Sequence, residues 1–222
     1  MRNMKEGLYI VLTGAPGCGK GTQARILRDN MHICHLSTGE MLREYAEKDT
    51  PLGRELKTAL DRGEFATDEM IIEMVKNRID EKDCVNGFIL DGFPRTLPQA
   101  EILEGMLKEK GVNLDCVLEI QVPDEIIMER ILGRYSCMKC GAGYHDKFQK
   151  PKVYGVCDSC GGTEFSRRKD DNRTTVQNRL VNYRLLTYPT IPFFEKRGLL
   201  KTVDGTGTIE AVSKKISEIL DI

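Results

Sequence analysis

A short apolar run, Leu8-Tyr9-Ile10-Val11-Leu12, opens the regular part of the chain. Its length, its β-branched residues and the Thr13-Gly14 that ends it predict a buried strand. Ala24, Leu27 and Met31 then recur at helical spacing and predict a helix over 20–30. A second short strand is expected over 33–36. Thr38 is expected to cap a helix running to about residue 48, with Met41, Leu42 and Tyr45 on one side. Pro51 opens a further helix over 52–62, stopped by Gly63. Asp68 is expected to cap a helix whose apolar stripe is Ile71, Ile72, Val75 and Ile79.

The remaining pattern predicts strands over 87–91, 116–122 and 199–203. Helices are expected over 97–110, 124–133 and 208–220. Another, over 176–194, is disturbed by Pro189 and Pro192. Strands alternate with helices, so an α/β class follows, with one five-stranded parallel sheet covered on both faces. Two stretches, 38–67 and 134–171, exceed that minimal core and read as excursions from it.

Composition narrows the function. The 222 residues are 30% charged, with Lys+Arg 33 against Asp+Glu 34. That balance argues against a nucleic-acid coat, which carries a basic excess. The longest clean apolar run is far short of the roughly 20 residues of a membrane span. Met1 to Gly7 contains no apolar signal region, so a soluble, cytoplasmic protein is expected.

Gly14-Ala15-Pro16-Gly17-Cys18-Gly19-Lys20-Gly21-Thr22 lies between a predicted strand and a predicted helix. This is a phosphate loop: inward backbone N–H groups and a helix N-terminus cradle phosphate, and Lys20 reaches the β- and γ-phosphates. Gly21 stands where Ser or Thr usually follows the lysine, leaving Thr22 as the nearby hydroxyl. Asp91 ends its strand on the side where parallel sheets bind ligands. A carboxylate there suits Mg²⁺ held through water beside nucleotide phosphates.

Three further strings sharpen the reading: Leu36-Ser37-Thr38-Gly39-Glu40-Met41-Leu42-Arg43, Asp91-Gly92-Phe93-Pro94-Arg95-Thr96-Leu97-Pro98-Gln99-Ala100 and Arg167-Arg168-Lys169-Asp170-Asp171-Asn172. Together with the phosphate loop, and in this order, they resemble the adenylate kinase family in its long-lid, zinc-containing bacterial type. The resemblance covers nearly the whole chain. It implies a three-layer P-loop nucleoside monophosphate kinase fold. The core would be 1–37, 68–133 and 172–222, with a helical AMP-binding insertion at 38–67 and a zinc-ribbon lid at 134–171. It implies reversible transfer from MgATP to AMP, giving two ADP, by a monomer without nucleic-acid or membrane partners.

The resemblance also implies site residues. Gly14 to Thr22, Arg130 and Arg134 would hold ATP. Thr38, Arg43, Ala66, Gly92, Arg95, Gln99, Arg168 and Arg179 would serve AMP, with Arg43 and Arg95 clamping its phosphate and Gln99 meeting the adenine edge. Lys20, Asp91, Arg95, Arg130, Arg134, Arg168 and Arg179 would be catalytic, and Asp170 and Asp171 would orient arginines. This list suits phosphoryl transfer, which rests on positioning and charge stabilisation. A phosphate monoester is already largely dianionic at neutral pH, so no general base is demanded. His32, His35 and His145 accordingly lie outside the matched strings. Choice of base among monophosphate acceptors stays open on these residues alone.

Eight cysteines complete the picture. Cys137, Cys140, Cys157 and Cys160 form two CxxC knuckles with zinc-ribbon spacing, each followed by glycine. Four thiolates fill a tetrahedral shell, so a Zn²⁺ there is structural and stiffens a segment too small to hold itself by burial. His145 is expected to pack or hydrogen-bond beside it. Cys34, Cys84 and Cys116 read as core, and Cys18 as a small loop residue. From Arg134 to Arg173 there are nine Lys+Arg against five Asp+Glu, a formal +4, while the rest carries 24 against 29, or −5. A zinc ribbon on an ATPase core could instead bind nucleic acid. However, Tyr135, Tyr144, Phe148, Tyr154 and Phe165 are the only stacking rings in the segment, and the strings outside it specify a monophosphate acceptor. Phe148-Gln149-Lys150-Pro151-Lys152 departs from the family's more usual Phe-Asn-Pro-Pro-Lys.

Overall fold

The first apolar run forms the central strand of a five-stranded parallel sheet. A computed structural model describes residues 7–62 and 66–222. Gly63, the expected helix stop, and the first six residues lie outside the described residues. In chain order the elements begin with Leu8–Thr13 (β1), Lys20–Met31 (α1), Cys34–Ser37 (β2), Thr38–Ala46 (α2), Pro51–Arg62 (α3) and Asp68–Ile79 (α4). A single 3-10 turn, Lys82–Cys84, leads to Gly87–Asp91 (β3), Leu97–Glu109 (α5), Cys116–Gln121 (β4) and Asp124–Leu132 (α6). Arg134–Cys137 (β5), Gly143–His145 (β6) and Phe165–Ser166 (β7) follow, then Arg173–Asn182 (α7), Thr190–Glu195 (α8), Leu200–Asp204 (β8) and Ile209–Leu220 (α9).

The strand order is β2-β3-β1-β4-β8, and every neighbour is parallel. Register aligns Leu12 with Asp91 and Ser37 with Asp91, so β1, β2 and β3 end level. Their carboxyl ends therefore open on one crevice, where α/β sheets bind ligands. Two apolar layers cover the sheet. Ala24, Leu27, Val212 and Ile216 pack α1 and α9 on one face. Ile71, Val75, Leu103, Leu107 and Phe194 pack α4, α5 and α8 on the other.

Several local expectations shift by a residue, for identifiable reasons. Ser37, not Thr38, caps α2: its backbone is extended and its hydroxyl accepts from Glu40 N at 3.3 Å. Ser37 with Glu40 three residues on is the capping-box pattern. Likewise Thr67 caps α4 by accepting from Met70 N, and Asp68 is the first helical residue. Tyr45 leaves the expected apolar side of α2; it is 43% exposed, beneath the Lys48 ammonium. The long helix expected over 176–194 starts earlier, at Arg173, and is not continuous. Asn172 caps α7, a π-turn spans Tyr183–Thr187, and the chain restarts as α8 beyond Pro189, which has no N–H to donate.

The Cys-rich segment holds a small antiparallel sheet, β6-β5-β7, which hydrophobic periodicity did not predict. Its strands are two to four residues long, too short to show a period. Tyr135, Tyr144 and Phe165 pack ring to ring across it, beside buried Cys137 and Cys157.

Candidate active site

The turn after β1 is shaped by contact. Gly14 has φ +132°, and a Cβ there would lie 2.5 Å from Ile120 O on β4. Only glycine lets the loop start so close to the neighbouring strand. Lys20, the first residue of α1, folds its ammonium back over this loop, donating to Gly14 O at 2.7 Å and Ala15 O at 3.0 Å. The loop thus carries its cation where phosphate oxygens would sit.

Asp91 stands opposite, at the end of β3. His35 Nε2 lies 3.5 Å from Asp91 Oδ2 on the adjacent strand. Burial pushes the Asp91 carboxyl up, but His35, Lys20 and Arg95 outweigh it and hold its pKa below the ordinary range. Asp91 therefore stays an anion beside the phosphate loop, as a group serving Mg²⁺ must.

On the other side of Asp91, Thr38 is fully buried and donates to Gly92 O at 2.9 Å. Arg95 Nε donates to the same carbonyl at 2.7 Å. A Cβ on Gly92 would come within 2.7 Å of the Thr38 hydroxyl and 2.9 Å of the Arg95 guanidinium. Gln99 is buried with its amide engaged at both ends: Oε1 accepts from Arg95 N and Nε2 donates to Asp68 Oδ1, each at 2.7 Å. It thereby fixes the loop that presents Arg95.

The other cations arrive from α2, α6, α7 and the ends of the Cys-rich segment. Arg130 donates to Gly205 O at 2.8 Å and Cys18 O at 3.4 Å, tying α6 to the phosphate loop. Arg134 makes a two-pronged pair with Asp171, and Arg179 pairs with Asp170. Burial, with the like charges of Arg134 and Arg43, pushes the Arg168 guanidinium down to about 10. Burial does the same to Arg95, against Asp91 and with Arg179 and Arg43, to about 10. Burial likewise lowers Arg43. Crowded, partly desolvated cations of this kind favour a multivalent anion among them.

All of this faces one cavity of about 920 Å³. Lys20, Arg43, Ala66, Asp91, Gly92, Arg95, Gln99, Arg130, Arg134, Arg168 and Arg179 line it. So do the phosphate-loop residues Gly14, Pro16, Gly17, Cys18, Gly19, Gly21 and Thr22. Of the expected site residues, Ala15 and Thr38 are not in its wall; Thr38 acts beneath it, through Gly92. Two features of the wall escaped the sequence reading. Arg25 on α1 donates to Gly141 O at 2.5 Å and pairs with Glu40 at 3.0 Å, linking the Cys-rich segment to α2. Its motif position carried no distinguishing signal. The turn Gly205 to Thr208 also lines the cavity; a glycine-rich turn after a strand end was the available clue.

The four Sγ atoms of Cys137, Cys140, Cys157 and Cys160 lie within 4.8 Å of one another, with two pairs at 3.6 Å. Ligands about 2.3 Å from a tetrahedral zinc would stand ~3.8 Å apart, so the cluster fits structural Zn²⁺. His145 is not a fifth member. Its Nδ1 accepts from Lys147 N and Phe148 N, and its Nε2 lies 3.1 Å from Glu129 O on α6. It thus fastens the segment to the helix that precedes it.

Comparison with known proteins agrees with this geometry. The family model described as Adenylate kinase matches residues 12–199. A protein named Adenylate kinase from Paramagnetospirillum magneticum is 52% identical over 214 residues, covering 96% of this chain and 99% of its own. Proteins of the same name from Allorhizobium ampelinum and Carboxydothermus hydrogenoformans are 50% and 49% identical, each over 96% of this chain and 99% of theirs. A match of this length, to relatives covered almost end to end, makes the chain a member of the adenylate kinase family.

Proposed function

We propose that this nucleoside monophosphate kinase moves the terminal phosphoryl group of MgATP to AMP by lysine and arginine charge stabilisation, with 134–171 closing as a lid. In this reading 1–37, 68–133 and 172–222 form the core and 38–67 the AMP-binding insertion. The observation that carries it is the convergence of Lys20, Arg43, Arg95, Arg134, Arg168 and Arg179 on the cavity that also holds the phosphate loop and Asp91.

The phosphate loop and Lys20 bind the ATP phosphates, and Arg130 steadies the loop from behind. Arg43 and Arg95 grip the AMP phosphate. Gln99, through Arg95 N, sets the height of that grip; adenine recognition by Gln99 exchanges its bond to Asp68. Arg134, Arg168 and Arg179 surround the group in transit, where charge spreads over equatorial oxygens. The AMP phosphate oxygen attacks directly, since it needs no base. Bound with ATP near Asp91, Mg²⁺ supplies neutralisation of the phosphate charge.

Water competes with AMP as acceptor, so the arginines must close over the nucleotides before transfer. Contacts between the segments support such an arrangement. Thr175 donates to Asp61 O at 3.2 Å, Asn178 donates to Arg62 O at 3.3 Å, and Arg25 bridges Gly141 and Glu40. Structural Zn²⁺ on the four cysteines stiffens the moving segment. The protein acts as a cytoplasmic monomer on ATP, AMP and ADP, without nucleic-acid or membrane partners; no helix among the described residues is long and apolar enough to cross a membrane.

Separate replacement of Arg134 and Arg168 by alanine tests this reading. Each should lower kcat/KM for ATP by about 10²-fold or more, given what single arginines contribute in phosphoryl transfer. Wild-type kcat/KM in both variants would overturn it.

A further inference from the structure

A second cluster of reactive side chains lies away from the crevice, at the amino end of β2. Cys34 and Cys84 are both buried, and Cys84 Sγ donates to Cys34 Sγ at 3.3 Å. Cys34 Sγ in turn donates to Asp83 Oδ2 at 3.3 Å. The Arg78 guanidinium spans the pair, donating to Cys84 Sγ at 3.2 Å and Cys34 Sγ at 3.1 Å. Asp83 and Glu81 hold Arg78 from the solvent side. None of these groups lines the nucleotide cavity.

We infer that Cys34 and Cys84 are a two-thiol redox site that a peroxide converts to a disulfide, stapling the start of β2 to the turn before β3. The thiols are adjacent, and the guanidinium stands against both sulfurs. Burial pushes both thiols up, so the dithiol rests protonated and reacts through the thiolate fraction that Arg78 stabilises. A thiophilic metal is the competing occupant, because Cys34, Asp83 and Cys84 offer three ligand atoms close together. Arg78 argues against it: its positive charge already stands against both sulfurs, where a cation would have to enter.

The chemistry balances with the peroxide as the oxidant. Cys34 loses its proton to solvent and its sulfur attacks one peroxide oxygen, giving a sulfenic acid and hydroxide. The hydroxide takes up that proton and leaves as water. Cys84 sulfur then attacks the sulfenic sulfur, forming the S–S bond and expelling a second water. The sulfurs lose two electrons and the peroxide gains them. In a reducing compartment the resting form is the dithiol.

The chain between the two cysteines contains all of 38–67. A link would join the start of β2 to the turn beyond α4, closing a loop that contains that stretch without entering the crevice, since Cys34 lies at the opposite end of β2 from Thr38. Closing so long a loop should raise Tm by about 5 °C or more, with transfer activity kept within about twofold.

Hydrogen peroxide titration of the zinc-loaded protein tests this, followed by denaturing alkylation, peptide mass mapping and zinc assay at each step. The expected result is a Cys34–Cys84 peptide pair lighter by two hydrogens, formed before zinc release, reversed by dithiothreitol and accompanied by the rise in Tm. Cys34→Ser, checked by its own melting curve, should abolish both link and rise. Persistence of both thiols until zinc is lost would overturn the inference, as would separate over-oxidation of either cysteine without a link. A second metal per chain that disappears in Cys34→Ser would overturn it in favour of a metal site.

Discussion

Arg134 and Asp171 meet side by side, Nε to Oδ2 and Nη2 to Oδ1 both at 2.6 Å, with the Asp171 side chain almost wholly buried. One residue begins β5 and the other follows β7, so the pair joins the two ends of the Cys-rich segment. The two parallel bonds set the plane of the guanidinium as well as its place. Arg134 is thus aimed at the cavity before any nucleotide arrives.

Asp171→Asn should therefore keep Arg134 and lose its aim. Removing one prong of a mostly buried pair costs roughly 1–3 kcal/mol of stability, a Tm drop of several degrees. We expect kcat/KM for ATP to fall about 10-fold or more while kcat/KM for AMP falls less. Steady-state kinetics with each substrate varied, alongside thermal melts, check this; equal losses for both substrates would show that the pair serves the fold alone.

Metal content gives a separate test. Zinc analysis of reductively purified protein should find about one ion per chain, as one closed four-thiolate shell requires. Cys140→Ser, or removal by a chelator, should lower Tm by several degrees. ATP affinity should change less than stability, because the cysteines stand outside the cavity wall.

Asp91 links pH to stability with a definite sign. Its pKa is depressed in the folded chain, burial notwithstanding, by His35, Lys20 and Arg95. Its contribution is therefore complete above the ordinary carboxylate range, near 4, and is lost as pH falls below that toward the folded value. Urea unfolding from pH 7 to pH 3 should show a smaller acid loss in Asp91→Asn than in the wild type. An identical acid profile would mean that Asp91 is not held as an anion by these neighbours.

Much of this was legible in the residues themselves. The strand over 87–91 appears with those limits, because a buried parallel strand is a continuous apolar run. The phosphate loop could be recognised from Gly14, Gly19, Lys20 and the flanking strand and helix, since its chemistry is local. What was not legible depends on contacts across the chain. Whether Ser37 or Thr38 caps α2 is decided by Gly92, which takes the Thr38 hydroxyl. Arg25 acquires its place only when Gly141 and Glu40 come to it. The π-turn at Tyr183–Thr187 and the three short strands around the cysteines leave no periodic trace, because each is shorter than a period can declare.

A cationic cavity that passes a phosphoryl group from ATP to AMP must discriminate among monophosphate acceptors. A coupled assay of initial rates with MgATP against AMP, GMP, CMP and UMP tests it most directly. Transfer to AMP should exceed transfer to each of the others by about 10-fold or more, the scale of a lost hydrogen-bonded base contact. A preferred acceptor other than AMP, or hydrolysis of ATP without transfer, would contradict it.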